Sequence, residues 1–273
     1  MIDIHSHILF GVDDGAKELG ESLALARIYE EAGYRQVVAT PHALLDSLPF
    51  KNYGRNIRVR VNRLNQYLEK HHVTVKVLAG MEVGLDPQLM KMVTQGVVLT
   101  LADTKYLLVE TPFSHLPLNW WEIVFLLAAR SITVIFAHPE RCIQVGNNHQ
   151  LLERMAQAGA KFQVNWDSFS GAYGRMVANI AKFMALKGFI HCLATDSHDV
   201  KNRHAGHVRA IAVQLKSLIG IENLKRIALE NPARVIQGET LLEMDLGEVP
   251  KRVRKQRVGE KIRSLPKMVF GYR

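Results

Sequence analysis

Ile2-Asp3-Ile4-His5-Ser6-His7 has the pattern of a short strand that ends in two histidines. Side chains on a strand repeat every two residues, so both imidazoles project to the same side and can reach one metal ion. An H-x-H pair alone is weak evidence, because surface strands also carry alternating histidines. Its weight comes from the other strands. Apolar runs at 36–40, 73–79, 105–109, 132–137 and 189–194 lead into His42, Glu82, Glu110 and His138, and then into Asp196 with His198. Only the run at 161–164 has no such residue after it.

Helical periodicity separates these runs at 18–32, 57–70, 87–94, 120–130, 150–158 and 176–186, and continues at 204–218, 222–229 and 231–236. Gly33 suits the left-handed position after the first helix, and the unbroken Val37-Val38-Ala39 suits a strand covered on both faces. Seven strands alternating with helices predict an α/β fold, a (β/α)7 TIM-like barrel made irregular by the lack of an eighth strand. The C-terminal ends of parallel strands gather on one face. Residues as far apart in sequence as His5 and His198 are therefore expected to meet there.

The 273 residues, 48% of them hydrophobic, suffice for one large core. Two cysteines, Cys142 and Cys192, are too few for a disulfide framework and fit a reducing compartment. Residues 1–10 lack the basic start and long apolar run of a secretory leader, and no later segment has the apolar length of a membrane helix; a cytoplasmic location is expected. The formal charge is +9, but residues 249–273 hold nine Lys or Arg against Glu260, which is +8 of it. The nearly neutral body offers no track for a phosphate backbone, so nucleic acid is not the expected partner.

The expected division is a metal-binding domain over 1–245 and a basic tail over 246–273, in which Gly259 and Pro266 interrupt any single helix. Such a tail suits anionic lipid or an acidic protein, or is simply solvated.

Imidazoles mixed with carboxylates suit Mn²⁺, Fe or Zn²⁺ better than Ca²⁺, and the lack of thiolate ligands argues against a structural zinc. A carboxylate at the end of a buried run needs a cation, so the ordinary alternative for Glu82 and Glu110 is a salt bridge to Lys or Arg. The donors outnumber the needs of one ion, and a bridging carboxylate would let them serve two or three.

Longer motifs sharpen this. Met1-Ile2-Asp3-Ile4-His5-Ser6-His7-Ile8-Leu9-Phe10-Gly11-Val12-Asp13-Asp14-Gly15, Thr40-Pro41-His42, Gly80-Met81-Glu82, His138-Pro139-Glu140-Arg141 and Ala194-Thr195-Asp196-Ser197-His198 resemble the PHP (polymerase and histidinol phosphatase) family over about residues 1–240. Within that family they are similar to the bacterial tyrosine-protein phosphatases of capsule and exopolysaccharide synthesis. The resemblance implies a barrel of the PHP type with three divalent ions, Mn first and Fe or Zn next. One ion would take His5, His7, Glu82 and Asp196; a second would share Glu82 and add Glu110 and His138; the third would take Asp14, His42 and His198. Asp13 could serve in place of Asp14, and either could instead cap the helix that follows.

The implied reaction is hydrolysis of phosphotyrosine, on a membrane-associated tyrosine autokinase, by a hydroxide that bridges the metals. A small phosphomonoesterase of the histidinol-phosphatase kind and a non-catalytic metal-binding scaffold compete with it, and oligomerisation is open. Arg141, three residues past His138, and Arg203, five past His198, fall at the rim, where guanidinium forks can bind phosphate oxygens. In the subfamily such arginines look like phosphate clamps; the alternative is a surface Arg or a partner of Glu140 or Asp199. His138 and Asp199 complete the candidate catalytic set; the leaving-group acid is open, since a phenolate leaves without much help and either Asp199 or His204 could donate. The usual cysteine-phosphatase spacing, with Arg six residues after Cys, is absent, since Asn148 follows Cys142 and His198 follows Cys192 at that offset. Loops 43–54 and 112–121 carry Phe50, Tyr53, Phe113, His115, Trp120 and Trp121, which either grip a substrate or pack over the rim.

Overall fold

The computed structural model describes residues 1–43, 53–86 and 88–247. Phe50 and nearly all of the basic tail lie outside them. The strands are β1 (Ile2–Ser6), β2 (Gln36–Ala39), β3 (Lys76–Ala79), β4 (Glu82–Gly84), β5 (Tyr106–Glu110), β6 (Thr133–Ala137), β7 (Lys161–Asn165) and β8 (Cys192–Ala194). All pairings are parallel, in one sheet ordered β1-β2-β3 and another ordered β4-β5-β6-β7-β8. Two single bridges join the sheets, Ser6 to Ser197 and His42 to Glu82.

The described residues thus hold eight strands where seven were expected. The run at 73–79 stops at Ala79, and the chain crosses from one sheet to the other through Gly80 and Met81. A Cβ on Gly80 would come within 2.7 Å of Val38 Cγ1, so only glycine allows the chain to pass this close to β2. The next strand, β4, is three residues long and too short to register as an apolar run.

The helices are α1 (Leu19–Glu31), α2 (Tyr53–Lys70), α3 (Leu89–Thr94), α4 (Trp120–Ala128), α5 (Ile143–Asn147), α6 (Gln150–Gln157), α7 (Arg175–Lys187), α8 (Val208–Ile219), α9 (Ile221–Lys225) and α10 (Asn231–Gln237). A π-helical turn, Arg226–Glu230, runs α9 into α10. Gly33 ends α1 as expected: its φ is +90°, and the Tyr34 N–H returns to Tyr29 O at 2.9 Å. Trp120, Ile123, Val124 and Leu127 of α4 fall on one helical face, and all are buried.

Alternation along the strands divides the core in two. One set of side chains packs outward under the helices, while Ile4, Val38, Leu108, Ile135 and Ala194 turn to a common interior closed by Val235 of α10 and Leu241. Leu107, Leu108 and Val109 of β5 are fully buried, and each such side chain contributes about 1.5–3 kcal/mol. The strand that presents Glu110 is therefore anchored on both faces. Among the described residues, no helix is long and apolar enough to cross a membrane.

Candidate metal centre

The two bridges that join the sheets are also where the ligand-type residues meet. At one, the His7 N–H bonds to Ser197 O at 2.8 Å and the Asp196 N–H to His5 O at 3.0 Å. At the other, the Ala43 N–H bonds to Glu82 O at 2.9 Å and the Glu82 N–H to Pro41 O at 3.2 Å. Backbone pairing at these seams therefore fixes the separation of His5, His7 and Asp196, and of His42 and Glu82.

Glu82 occupies the centre of the cluster. Its Oε2 lies 3.2 Å from His5 Nε2, 3.3 Å from His7 Nε2 and 3.2 Å from His42 Nδ1, while its Oε1 lies 3.1 Å from His138 Nε2. Asp196 Oδ1 is 3.3 Å from His5 Nε2 and 3.4 Å from His7 Nε2. Asp14 Oδ1 faces His198 Nε2 at 3.4 Å and His42 Nε2 at 3.6 Å, and Glu110 Oε2 is 3.9 Å from His42 Nδ1. All nine residues expected to bind metal are brought together. They fall into overlapping groups: His7, Asp14, His42 and His198; His5, His7 and Asp196; His5, Glu82 and His138; His42, Glu82 and Glu110.

These residues fit divalent cations. Glu82 Oε2 is buried and accepts no hydrogen bond of good geometry, although three imidazole nitrogens face it. His5 Nε2 and His7 Nε2 also face each other at 3.3 Å. Nitrogens gathered around a carboxylate oxygen in this way aim their lone pairs at shared points. Burial disfavours a charged His5, yet Glu82 and Asp196 push its pKa up to about 9. Burial likewise opposes ionised Glu82, but the surrounding imidazoles hold its carboxyl well below the usual range. Burial and the Glu82 charge together raise Glu110. Protons and metal ions compete for these donors, so cation binding here releases protons.

The structure separates the two adjacent aspartates. Asp13 Oδ2 accepts from His7 Nδ1 at 2.7 Å and from the His42 N–H at 3.0 Å, so it orients two of the candidate ligands. Asp14 is the one that reaches the cluster. Neither caps α1, where Glu18 stands at the N-cap. Gly15 lets this loop lie against β1: a Cβ there would fall 2.1 Å from His7 O. His138 and Asp196 adopt left-handed backbone, with φ of 34° and 53°, a conformation that costs non-glycine residues of order 1–3 kcal/mol and concentrates at functional sites.

Strand β7, the one without a ligand, supplies two amides. Gln163 Oε1 accepts from His5 Nδ1 at 2.8 Å and Asn165 Nδ2 donates to Asp196 Oδ2 at 2.8 Å. Sequence reasoning missed both. The available signal was two polar residues alternating in the buried run Phe162-Gln163-Val164-Asn165, where unpaired amides are costly.

Asp196 divides its oxygens between two tasks. Oδ1 faces the imidazoles, while Oδ2 accepts from Arg203 Nη2 at 2.7 Å and from Arg141 Nη1 at 3.3 Å. Both arginines line the pocket beside Glu82, Glu110, His138 and His198, and Phe113 completes that wall. Asp199 is not among the lining residues. Its Oδ1 is engaged by the Lys201 and Asn202 N–H groups at 2.8 Å each, and although burial opposes it, these hydrogen bonds hold its pKa below the usual range. It shapes the loop that returns Arg203 to His198. His204 is turned to the Gly206 N–H, and His115 is exposed and outside the pocket lining. Tyr53 starts α2 and donates to His42 O at 2.6 Å, while Trp120 is a core residue of α4.

A family model described as capsular polysaccharide synthesis, CpsB/CapC, matches residues 1–237. The chain is 31% identical over 252 residues to the tyrosine-protein phosphatase YwqE of Bacillus subtilis, covering 92% of this chain and 98% of the relative. It is 25% identical over 250 residues to the tyrosine-protein phosphatase CpsB of Streptococcus pneumoniae, covering 88% and 100%. Among solved structures, one from work on YwqE and CpsB as metal-dependent tyrosine phosphatases superposes with a TM-score of 0.84 at 30% identity, over 89% of this chain and 97% of that one.

Proposed function

Because the chain belongs to the CpsB/CapC family, we propose that it is a metal-dependent protein-tyrosine phosphatase. The observation that carries this reading is the shared use of Asp196, whose one oxygen faces the histidine cluster while the other holds two arginines at the same pocket. His5, His7, Glu82 and Asp196 would hold one divalent ion; Glu82, Glu110 and His138 a second; Asp14, His42 and His198 a third, with Mn²⁺ the first candidate. Bound there, such ions would make hydroxide available near neutral pH and would neutralise charge on the phosphoryl oxygens.

The chain's own contribution is positioning. Arg141 and Arg203 bind non-bridging phosphate oxygens, and their common bond to Asp196 fixes them relative to the cluster. Gln163 and Asp13 fix the rings of His5 and His7 from behind. No side chain need protonate the leaving group, because a phenolate departs readily; of the candidate acids, Asp199 bonds to the N–H groups of its own loop and His204 to the Gly206 N–H.

A phosphotyrosine protein is the substrate class. A membrane-associated tyrosine autokinase fits a family of capsule synthesis, and the basic residues of 246–273 would suit the anionic lipid or acidic protein around it. The enzyme would then work in the cytoplasm.

The test is phosphate release by the Mn²⁺-loaded chain from a phosphotyrosine peptide, a phosphoserine peptide and histidinol phosphate. Preference for the phosphotyrosine peptide is expected. Preference for histidinol phosphate would reassign the substrate to a small phosphomonoester, and no release from any of the three would leave a metal-binding scaffold.

A further inference from the structure

Tyr173 lies in none of the motifs above, yet it touches the phosphate-binding wall. It sits in the turn Gly171-Ala172-Tyr173-Gly174 between β7 and α7, closed by a bond from the Gly174 N–H to Gly171 O at 2.9 Å. Gly171 and Gly174 have φ of +87° and +93°. Side chains other than glycine rarely adopt such angles, so the two glycines fix how Tyr173 is presented.

The Arg141 guanidinium carbon lies 4.6 Å from the centroid of the Tyr173 ring and 4.6 Å from that of Phe113. Arg141 makes one side-chain hydrogen bond within the described residues, from Nη1 to Asp196 at 3.3 Å. Tyr173 Oη and Arg203 Nε are both buried and make no hydrogen bond of good geometry, and burial raises the Tyr173 phenol above its ordinary pKa.

An arginine that is to grip a phosphate must be held still without spending its N–H groups. A carboxylate facing it in bidentate fashion would fix the fork but occupy two donors. Aromatic rings restrain the guanidinium through its faces and leave its edges free. Arg141 is restrained in the second way, with a single donor given to Asp196.

We propose that Tyr173 is a positioning residue of the phosphate site, holding Arg141 against Phe113 so that its free N–H groups meet the substrate's phosphate. This deepens the phosphatase reading and rests on it. The ring does this work, so phenylalanine can replace it and an aliphatic side chain cannot. Phe113 is the other half of the device: it lies over Arg141 and also stacks on His138, with ring centroids 5.9 Å apart. The guanidinium is thereby referenced to the metal cluster from Phe113 as well as from Asp196.

The experiment compares the Mn²⁺-loaded wild type with Tyr173→Phe, Tyr173→Leu, Arg141→Ala and the double variant Tyr173→Leu/Arg141→Ala. It measures the Kd for inorganic phosphate by calorimetry, KM and kcat on a phosphotyrosine peptide, and bound metal. Tyr173→Leu is expected to raise both the phosphate Kd and KM by about ten-fold, with kcat and metal content close to wild type. Tyr173→Phe should recover wild-type values, and Tyr173→Leu should cost little once Arg141 is already Ala.

Wild-type phosphate affinity in Tyr173→Leu, or full additivity in the double variant, would overturn the proposal and leave the phosphatase reading standing. A wild type that binds phosphate but releases none from phosphotyrosine would instead sink that reading, and the binding constants would still decide the role of Tyr173. If the wild type turns over phosphotyrosine but binds inorganic phosphate too weakly to measure, KM decides, and a wild-type KM in Tyr173→Leu overturns the proposal. Should Tyr173→Leu fold poorly, Phe113→Leu removes the opposing ring and must give the same rise in Kd.

Discussion

Gln163 Oε1 accepts a hydrogen bond from His5 Nδ1 at 2.8 Å, and the Gln163 amide passes the constraint on. Its Nε2 donates to Asn165 Oδ1 at 2.8 Å, and Asn165 Nδ2 donates to Asp196 Oδ2 at 2.8 Å. The strand that offers no candidate ligand thus orients one candidate ligand from β1 and another beyond β8. Groups that orient ligands from behind in this way typically change metal affinity by about 10–100-fold when removed. Gln163→Leu is expected to weaken Mn²⁺ binding by that factor in a folded protein. A metal titration that matches wild type would show that the amide chain serves folding alone.

Asp14 and Asp13 are adjacent but should fail differently. Asp14 is the exposed carboxylate of the group with His42 and His198, and His198 draws its pKa below the usual range. Asp14→Ala is expected to remove one bound ion per chain and spare the rest. Asp13 orients His7, which belongs to two of the groups, so Asp13→Ala should lower affinity across the cluster. Metal content after gel filtration checks both, and equal stoichiometry in the two variants would contradict the division of roles.

Glu140 is fully buried beside Arg141, but its work is structural. Its Oε1 accepts from the Asn165 N–H at 2.9 Å and from Ser168 Oγ at 2.7 Å. Burial raises its pKa, against these hydrogen bonds. Glu140→Ala strands two buried donors at about 1–3 kcal/mol each, so a loss of several kcal/mol and a fall in Tm are expected. Glu140→Gln keeps an acceptor and should lose less. Thermal denaturation of both variants tests this ordering.

The two thiols are expected to be dispensable. Cys142 and Cys192 are free and buried, and burial pushes both pKa values up, away from the thiolate a covalent mechanism needs. Cys142→Ser/Cys192→Ser should keep turnover, whereas His138→Ala should abolish it. The reverse pair of results would rule out the metal mechanism.

The candidate ligands were legible in the sequence for a physical reason. A buried parallel strand is an unbroken apolar run, so a His or Glu that ends it stands out, as at Val38-Ala39-Thr40-Pro41-His42 and Leu107-Leu108-Val109-Glu110. The residues that support the ligands carry no such mark. Gln163 and Asn165 are neutral amides whose value appears only when β1, β7 and β8 lie together. Tyr173 meets Arg141 across two loops, which no spacing encodes. The seven-strand expectation missed β4 because the chain changes sheets within two residues, at Gly80 and Met81. Asp199 stands beside His198 in sequence, yet its Oδ1 turns to the Lys201 and Asn202 N–H groups of its own loop, which no motif marks.

The most direct test of the central claim is hydrolysis of a phosphotyrosine peptide by metal-stripped protein before and after Mn²⁺ is returned. Inactive stripped protein that recovers turnover with Mn²⁺, together with Asp196→Ala protein that recovers none, is the predicted result. Turnover that survives stripping, or that returns in the absence of Asp196, would contradict the account.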